Sequence, residues 1–422
     1  MTEPARRLYL IAYQCGPGMG SVSQIGWEWY WRLSEKIRAS GQFDGLTLYT
    51  SVRNRDTLTQ AGAPCLGSEI VYIDTEWFAA PLYRLTTRLF GTSEHAIFMF
   101  TSLDYFIFDR QVVKALAQRK VSTERSLIHL VTPVSALLPT RLGRIGLPLV
   151  IGPLNSGLPL QTNYPAIMRA DFQWLYRLKY LARIPQMLFG SLRKAALIYV
   201  AMRHVRDALP ANTQARQRVL IENGVDLNLF QPAPWPESVT PLRLIFVGRL
   251  VPVKALGLLL EAMARLRARA VPVKLAVVGD GGMRHDWERQ AQALGLVDDV
   301  VFHGNLPLAE IAPLIAQAHA LCLPSVRESG GAVILEAAAI GRPSIVVNFG
   351  GPADLVTAET GAVVSAEGPE QTIAGLEQAM VSIIESPEAW RQRGVAACQH
   401  VEANLSWDAK VEAALCDYKA HC

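Results

Sequence analysis

Leu242-Arg243-Leu244-Ile245-Phe246-Val247-Gly248-Arg249-Leu250 is a short apolar run that closes on a glycine. Leu256, Leu259, Leu260, Met263 and Leu266 follow at the 3.6-residue spacing of a helix with one buried face. A strand of this kind, apolar almost throughout, suits a parallel sheet covered on both faces. The pattern recurs downstream, with strand-like runs Val273 to Val278, Val300 to His303, Ala320 to Leu323 and Ser344 to Val347. Helical spacing falls between them, as at Ile311, Leu314, Ile315 and Ala318. Strands and helices in alternation predict a doubly wound parallel sheet. The first half follows the same logic with more interruptions: strands Leu8 to Tyr13, Leu46 to Tyr49, Ile70 to Ile73, Leu127 to Val131, Leu149 to Ile151 and Leu197 to Val200, and a helix Ile25 to Arg38.

At 422 residues the chain has room for two or three domains, and 50% hydrophobic with 18% charged residues describes a folded globular protein rather than a disordered one. The formal charge of +4 is too small for a dedicated nucleic-acid binder. It hides an asymmetry: residues 1–235 hold 26 basic and 16 acidic side chains, residues 236–422 hold 15 and 21. Two domains with different tasks are expected. Pro232, Pro234 and Pro236 interrupt helix and central strand alike. The expected organisation is therefore a first domain over 1–231, a linker over 232–240, a second domain over 241–403, and a helix over 404–422 crossing back to the first. The six cysteines (Cys15, Cys65, Cys322, Cys398, Cys416, Cys422) show no metal-ligand spacing and fit a reduced, cytoplasmic setting. Met1 to Arg7 lacks an apolar signal core, and Ser126 to Thr140, interrupted by His129, Pro133 and Pro139, is too short to span a bilayer.

Two constellations carry chemistry. Arg249 and Lys254 lie just beyond the strand that ends at Gly248, and ligands of open α/β sheets sit at the carboxyl ends of strands. Two cations there suit a diphosphate, Arg as a bidentate grip and Lys as a point charge; an exposed surface pair is the plainer reading. Glu328-Ser329-Gly330-Gly331-Ala332-Val333-Ile334-Leu335-Glu336 follows another strand. Its glycines allow a ligand close to backbone N–H groups. Two helix carboxylates with no further role would also fit, but Glu336 stands within an apolar run, where an unpaired carboxylate is costly.

The order Gly248-Arg249-Leu250 with Lys254, Val278-Gly279-Asp280-Gly281, Val301-Phe302-His303-Gly304, Glu328 with Glu336 and Ala337, then Gly341-Arg342-Pro343 resembles a retaining glycosyltransferase of family 4. Cys15 to Ser21 followed by Gly26-Trp27, His129-Leu130-Val131-Thr132, Gly152-Pro153-Leu154, Asn223-Gly224-Val225-Asp226 with Phe230, and Ser406-Trp407 resemble its bacterial polysaccharide-type members. The resemblance implies the GT-B fold, two Rossmann-like doubly wound parallel-sheet domains facing across a cleft. It implies that Arg249 and Lys254 bind the donor diphosphate beside Gly248, that Glu328 takes the donor sugar hydroxyls and Glu336 the ribose, and that backbone amides of Gly330, Gly331 and Ala332 hold sugar and phosphate oxygens. Gly20 and Ser21 would approach the diphosphate, and His129 would lie by the sugar at the reacting centre, although a core histidine is the alternative for His129. Three departures stand out: Ala255 where the family carries glycine, Val22 where related loops carry Glu, and Asn155-Ser156-Gly157 where they are richer in glycine.

No Asp-x-Asp occurs, and Asp74-Thr75-Glu76 reads as a turn cap. The resemblance implies metal-free, front-face transfer with no cofactor and a nucleoside-diphosphate sugar as substrate. The expected acceptor is a glycan or a polyprenyl-diphosphate-linked saccharide of exopolysaccharide, capsule or cell-surface glycan synthesis, with no nucleic-acid partner. Residues 169–206 mix eight Lys or Arg with Phe172, Trp174, Tyr176, Tyr180 and Phe189, a pattern that suits an anionic membrane surface, or else a packed helix with a solvated basic face. Phe78, Leu82, Tyr83, Leu85, Leu89 and Phe90 with Arg84 and Arg88 offer a second such contact. A nucleotide-sugar epimerase and a non-catalytic nucleotide-sugar-binding scaffold are the competing functions; a dehydrogenase is disfavoured, since Gly16, Gly18 and Gly20 are too evenly spaced for a dinucleotide fingerprint.

Overall fold

The computed structural model describes residues 6–90, 102–119, 126–155, 158, 159, 161–170 and 190–421. They form two compact units: residues 1–157, 179–222 and 410–422 in one, 158–178 and 223–409 in the other. The chain thus leaves the first unit after Glu222, where the sequence suggested 231, and returns to it from Lys410.

The first unit is built on seven parallel strands in the order β3-β2-β1-β4-β5-β6-β7. They are β1 Arg7–Ala12, β2 Gly45–Ser51, β3 Ser68–Ile73, β4 Leu127–Thr132, β5 Leu149–Leu154, β6 Leu197–Val200 and β7 Gln217–Val219. Every residue of β2, β4, β5 and β6 is buried, as expected of strands covered on both faces. The helix Ser21–Ser40 lays Ile25, Trp29, Leu33 and Ile37 onto the sheet, one residue per turn.

The second unit has six parallel strands in the order β10-β9-β8-β11-β12-β13. They are β8 Leu242–Val247, β9 Val273–Val278, β10 Val300–Gly304, β11 Ala320–Leu323, β12 Ser344–Val347 and β13 Gly361–Val364. In each sheet the strand order reverses next to the first strand, between β1 and β4 and between β8 and β11. Loops at such a switch point diverge at the carboxyl edge and leave a crevice between them.

The proline-rich stretch expected to be a linker is fastened to the second unit. Arg342, 1% exposed, donates from its guanidinium to the carbonyls of Ala233 (3.1 Å), Pro234 (2.5 Å) and Ala316 (2.6 Å) and stacks over Trp235. Its acceptors are carbonyls, and burial lowers its pKa to about 10, still charged near neutrality. His319 completes the fastening, accepting at Nδ1 from the Arg243 N–H and donating from Nε2 to Ser238 O.

Candidate active site

At the switch point of the second unit, the turn after β8 and the turn after β11 come side by side. The β8 turn rests on the one after β9: Leu250 N donates to Asp280 O (2.8 Å) and Met283 N to Leu250 O (2.8 Å). The contact is backbone to backbone. Gly279 sits at φ 123°, and a Cβ there would lie 2.1 Å from Gly248 O, so only glycine lets the turns meet. Asp280 closes the turn by accepting from the Gly281 N–H. These contacts account for Val278-Gly279-Asp280-Gly281 as support for Gly248, Arg249 and Leu250.

Lys254 ends a single 3-10 turn, Pro252–Lys254, and folds back over Gly248, its Nζ 3.7 Å from where a Cβ on that glycine would stand. Its ammonium forms an ion pair with Glu328 Oε2. A backbone bond from Val326 N to Val253 O (3.0 Å) ties the two turns together beneath that pair. Ala255 follows in the left-handed region (φ 50°), fully enclosed. A Cβ in that conformation costs about 1 kcal/mol, which explains why glycine suits the position and shows that the turn keeps its shape without it.

Glu328 is a held carboxylate. Burial pushes its pKa up, but the Lys254 ammonium and the N–H groups of Gly330 and Ser329 outweigh that and leave it below the usual range. The Gly330 N–H lies 3.4 Å from Oε1. Gly331, at φ 81°, turns the chain into the helix Ala332–Ala339, so Gly330, Gly331 and Ala332 present the first backbone amides of that helix. Glu336 stands on the same helix, half-buried, and burial with nothing to offset it pushes its carboxyl up to about 7. Arg249 is exposed beside this group. Ser325, not anticipated from sequence, is fully buried with its hydroxyl unpartnered, three residues before Glu328. Its sequence signal is its place two residues beyond the end of β11, directly behind Pro324.

In the first unit, Gly20 (φ 99°) and the exposed Ser21 open the helix Ser21–Ser40 at the carboxyl edge of β1. The preceding loop is braced by Gly16 N to Ser23 O (3.0 Å) and Gly18 N to Gln24 Oε1 (3.2 Å).

His129 requires correction as a catalytic candidate. It lies in the middle of β4 at 0% exposure, ringed edge-on by Trp29, Tyr199 and Tyr418. Its Nε2 meets Gly152 O at 2.7 Å; a carbonyl only accepts, so the proton is on Nε2. Nδ1 then accepts from the Tyr418 hydroxyl at 2.6 Å. Burial lowers its pKa to about 4. With both nitrogens committed inside the core, this imidazole is a structural bolt, out of reach of a substrate.

A polar cluster that sequence reading did not find closes the carboxyl ends of β1, β2 and β3. Asp104, fully buried, accepts from the Tyr13 hydroxyl, from Arg53 Nη2 (2.5 Å) and from Thr75 Oγ1 (3.2 Å), and Arg53 also pairs with Glu76. Burial, then the Asp104 charge, raise the Tyr13 pKa. Asp74 caps the turn as expected, accepting from Glu76 N at 2.8 Å.

Of the stretch over 169–206, Phe172, Trp174, Tyr176, Tyr180 and Phe189 with Arg177, Lys179 and Arg183 fall outside the described residues, as do Ser156, Gly157 and the side chains of Leu89 and Phe90. The helix Glu76–Phe90 is described, and its most exposed large side chains are Trp77 (67%), Tyr83 (55%) and Leu85 (54%). Among the described residues no helix is long and apolar enough to cross a membrane, and no three His, Cys, Asp or Glu side chains are grouped to hold a metal ion.

Residues 230–396 match the family model described as Glycosyl transferases group 1. The chain is 30% identical over 247 residues to a D-inositol 3-phosphate glycosyltransferase of Segniliparus rotundus, covering 56% of this chain and 54% of that one. It is 32% identical over 190 residues to a glycogen synthase of Mycobacterium tuberculosis, covering 44% and 45%. The chain therefore spans about half the length of the relatives it matches. Among solved structures, Anabaena HepE in complex with UDP superposes with a TM-score of 0.62 at 16% identity, covering 98% of this chain and 100% of that one. The fold is that of the GT-B glycosyltransferases, two parallel-sheet α/β domains.

Proposed function

We propose that this protein is a retaining glycosyltransferase of the hexosyltransferase class. It would move a sugar from a nucleoside-diphosphate sugar to a glycan acceptor, lipid-linked, in the synthesis of an exopolysaccharide, capsule or similar cell-surface polysaccharide. The observation that carries the reading is the meeting of Lys254 and Glu328, 74 residues apart in sequence, beside Gly248 at the switch point of the second sheet. A cation and a carboxylate at that edge match the two ends of a sugar diphosphate.

In this reading Arg249 and Lys254 take the diphosphate oxygens and stabilise the charge that develops as the bond from the sugar C1 to phosphate breaks. The acceptor hydroxyl bonds to C1 on the face the phosphate leaves, and its proton passes to the departing phosphate oxygen. No metal or carboxylate nucleophile is assigned a step. Glu328 orients the sugar hydroxyls, Glu336 accepts from the ribose diol, and the amides of Gly330, Gly331 and Ala332 and the loop at Gly20 and Ser21 hold oxygens of the donor. His129 has no part in it. The polar cluster around Asp104 keeps the carboxyl edge of the first sheet in shape for an acceptor. The exposed face of the helix Glu76–Phe90 supports contact with an anionic membrane, where a polyprenyl-diphosphate-linked acceptor would be met.

The test is incubation with UDP-, GDP-, ADP- and dTDP-sugars, with and without lipid-linked acceptor extract, and detection of released nucleoside diphosphate. Release from one donor, lost in both Lys254→Ala and Glu328→Ala by at least about a hundredfold, is expected. Silence with every donor and no donor-induced thermal shift would favour a non-catalytic nucleotide-sugar scaffold instead.

A further inference from the structure

One segment of the second unit comes from the first half of the sequence. Residues 158–170 leave the region of β5 in sequence, yet they pack with the donor-site turns rather than with the first sheet. Tyr164, 1% exposed, forms a small closed cluster with Ala255 (3%) and Val326 (0%), flanked by Ile167 and Leu258. Ala255 is the residue after Lys254, and Val326 lies two before Glu328. Tyr164 therefore packs against the residue that follows Lys254 and against Val326, whose N–H bonds Val253 O.

The segment is anchored on both sides of that ring. The Thr372 hydroxyl spends its proton on Ser365 O (2.7 Å), so Tyr164 is the donor in the 2.6 Å contact between their oxygens. Asn163 Nδ2 donates to Ala366 O at 2.9 Å. At the other end Leu158 lies against Gly350, whose own backbone is pressed so close to Glu328 O that a Cβ there would sit 2.0 Å away. Thus this stretch touches the turn of Lys254, the turn of Glu328 and the loop that closes over Glu328.

We propose that this segment is a strap that sets the spacing of the donor-site turns, with Tyr164 as a positioning residue acting through Ala255 and Val326 on Lys254 and Glu328; the inference rests on the donor-site reading above. The two turns are joined by one backbone bond and the Lys254–Glu328 ion pair, and one of them carries a non-glycine residue in the left-handed region, so their separation calls for a further restraint. A rigid ring wedged behind both supplies one. Sites of this kind depend on supporting residues that fix the ligand-touching groups to within about half an ångström.

The experiment is calorimetric titration of UDP, GDP, ADP and dTDP into the full chain. It compares the wild type, Tyr164→Ala, Tyr164→Phe and Leu266→Ala, with a thermal melt of each. Leu266 is fully buried at the far end of the helix Leu256–Ala268 and serves as the variant that loses stability without touching the turns. Tyr164→Ala is expected to weaken the diphosphate that the wild type binds by roughly tenfold. Tyr164→Phe, which keeps the ring, should stay within about twofold, and Leu266→Ala should keep its affinity despite a lower melting temperature. If Tyr164→Ala does not melt cooperatively, Tyr164→Leu is titrated in its place with the same weakening expected. Unchanged affinity in the Tyr164 variant, or an equal loss in Leu266→Ala, overturns the strap. Failure of the wild type to bind any of the four overturns the donor-site reading, and the strap with it.

Discussion

A carboxyl group that titrates near neutrality makes substrate affinity a function of pH, and Glu336 is such a group. Burial alone holds it at about 7, so near that pH only half the molecules carry the carboxylate that can accept from both hydroxyls of a ribose. An intact sugar diphosphate has no phosphate proton to lose between pH 6 and 8, which leaves Glu336 as the titrating partner. KM for the donor is expected to fall roughly tenfold as pH rises from about 6 to about 8, following the ionised fraction of one group centred at 7. Glu336→Gln should flatten that profile; a wild-type profile that is already flat, or one equally steep in the variant, refutes the assignment. The sign for the empty protein is opposite. An acid raised by burial is proton-rich in the folded state, so its contribution to stability is present below the unfolded value of 4.5 and fades as pH rises toward 7. Glu336 stands out in the sequence because a carboxylate amid alanine, valine and isoleucine demands a reason. His129 shows the same pattern, a polar residue in an apolar run, and is held inside the core. Its partners, Gly152 and Tyr418, lie 23 and 289 residues away, and no local signal announces them.

At the scale of elements, strands that carry an apolar run announce themselves even at a sheet edge: β3 and β10 are edge strands, and the sequence shows them as Ile70 to Ile73 and Val300 to His303. β4 and β11 are buried at every residue, while β8 and β9 keep their apolar run around one basic residue each, Arg243 and the exposed Lys274. β7 is Gln-Arg-Val with two exposed residues of three and has no apolar run, while β13 is apolar but only four residues long, partly buried and opened by a glycine, too short a signal to separate from a loop. The same limit applies to the strap: Tyr164 stands among prolines and polar residues, and its burial depends on Ala255 and Val326, which arrive about 90 and 160 residues later. The helix Glu76–Phe90 is an exposed element with large apolar side chains at its surface. Trp77, Tyr83 and Leu85 project from it with Arg84 and Arg88 among them, and Trp77, absent from the sequence reading, is the most exposed of the three. Aromatic rings with interspersed cations suit the interfacial region of an anionic bilayer. The protein should co-sediment with vesicles containing anionic phospholipid and not with neutral ones. The double substitution Arg84→Glu, Arg88→Glu should remove at least about 2 kcal/mol, a roughly thirtyfold weaker partition. Equal sedimentation of wild type and variant would assign the exposed face to something other than a membrane.

At the scale of the whole molecule, neither unit is continuous in sequence. The second borrows residues 158–178 from the first half, and the first takes its final helical turns from the end of the chain. That end is joined to the first unit's core. In the helix Trp407–His421, Tyr418 is fully buried and donates to His129, while Asp417 accepts from the Tyr199 hydroxyl (2.7 Å) and pairs with Arg218. The strands that hold His129 and Tyr199 are β4 and β6, so the last turns of the chain tie together two strands of the first sheet. Tyr418→Phe keeps the ring and removes the hydroxyl that donates to Nδ1 of the buried His129 imidazole. The cost of losing that donor is about 1–3 kcal/mol, at roughly 2–4 °C per kcal/mol for a unit of this size. Because Lys254, Glu328 and the strap all belong to the other unit, the loss should fall on one transition alone. Differential scanning calorimetry with and without the bound nucleoside diphosphate separates the two: the transition that ligand raises should stay where it is in Tyr418→Phe, and the other should move down. If both move together, the units unfold as a single cooperative body, and the helix that returns to the first sheet supports the donor site as well as its own core.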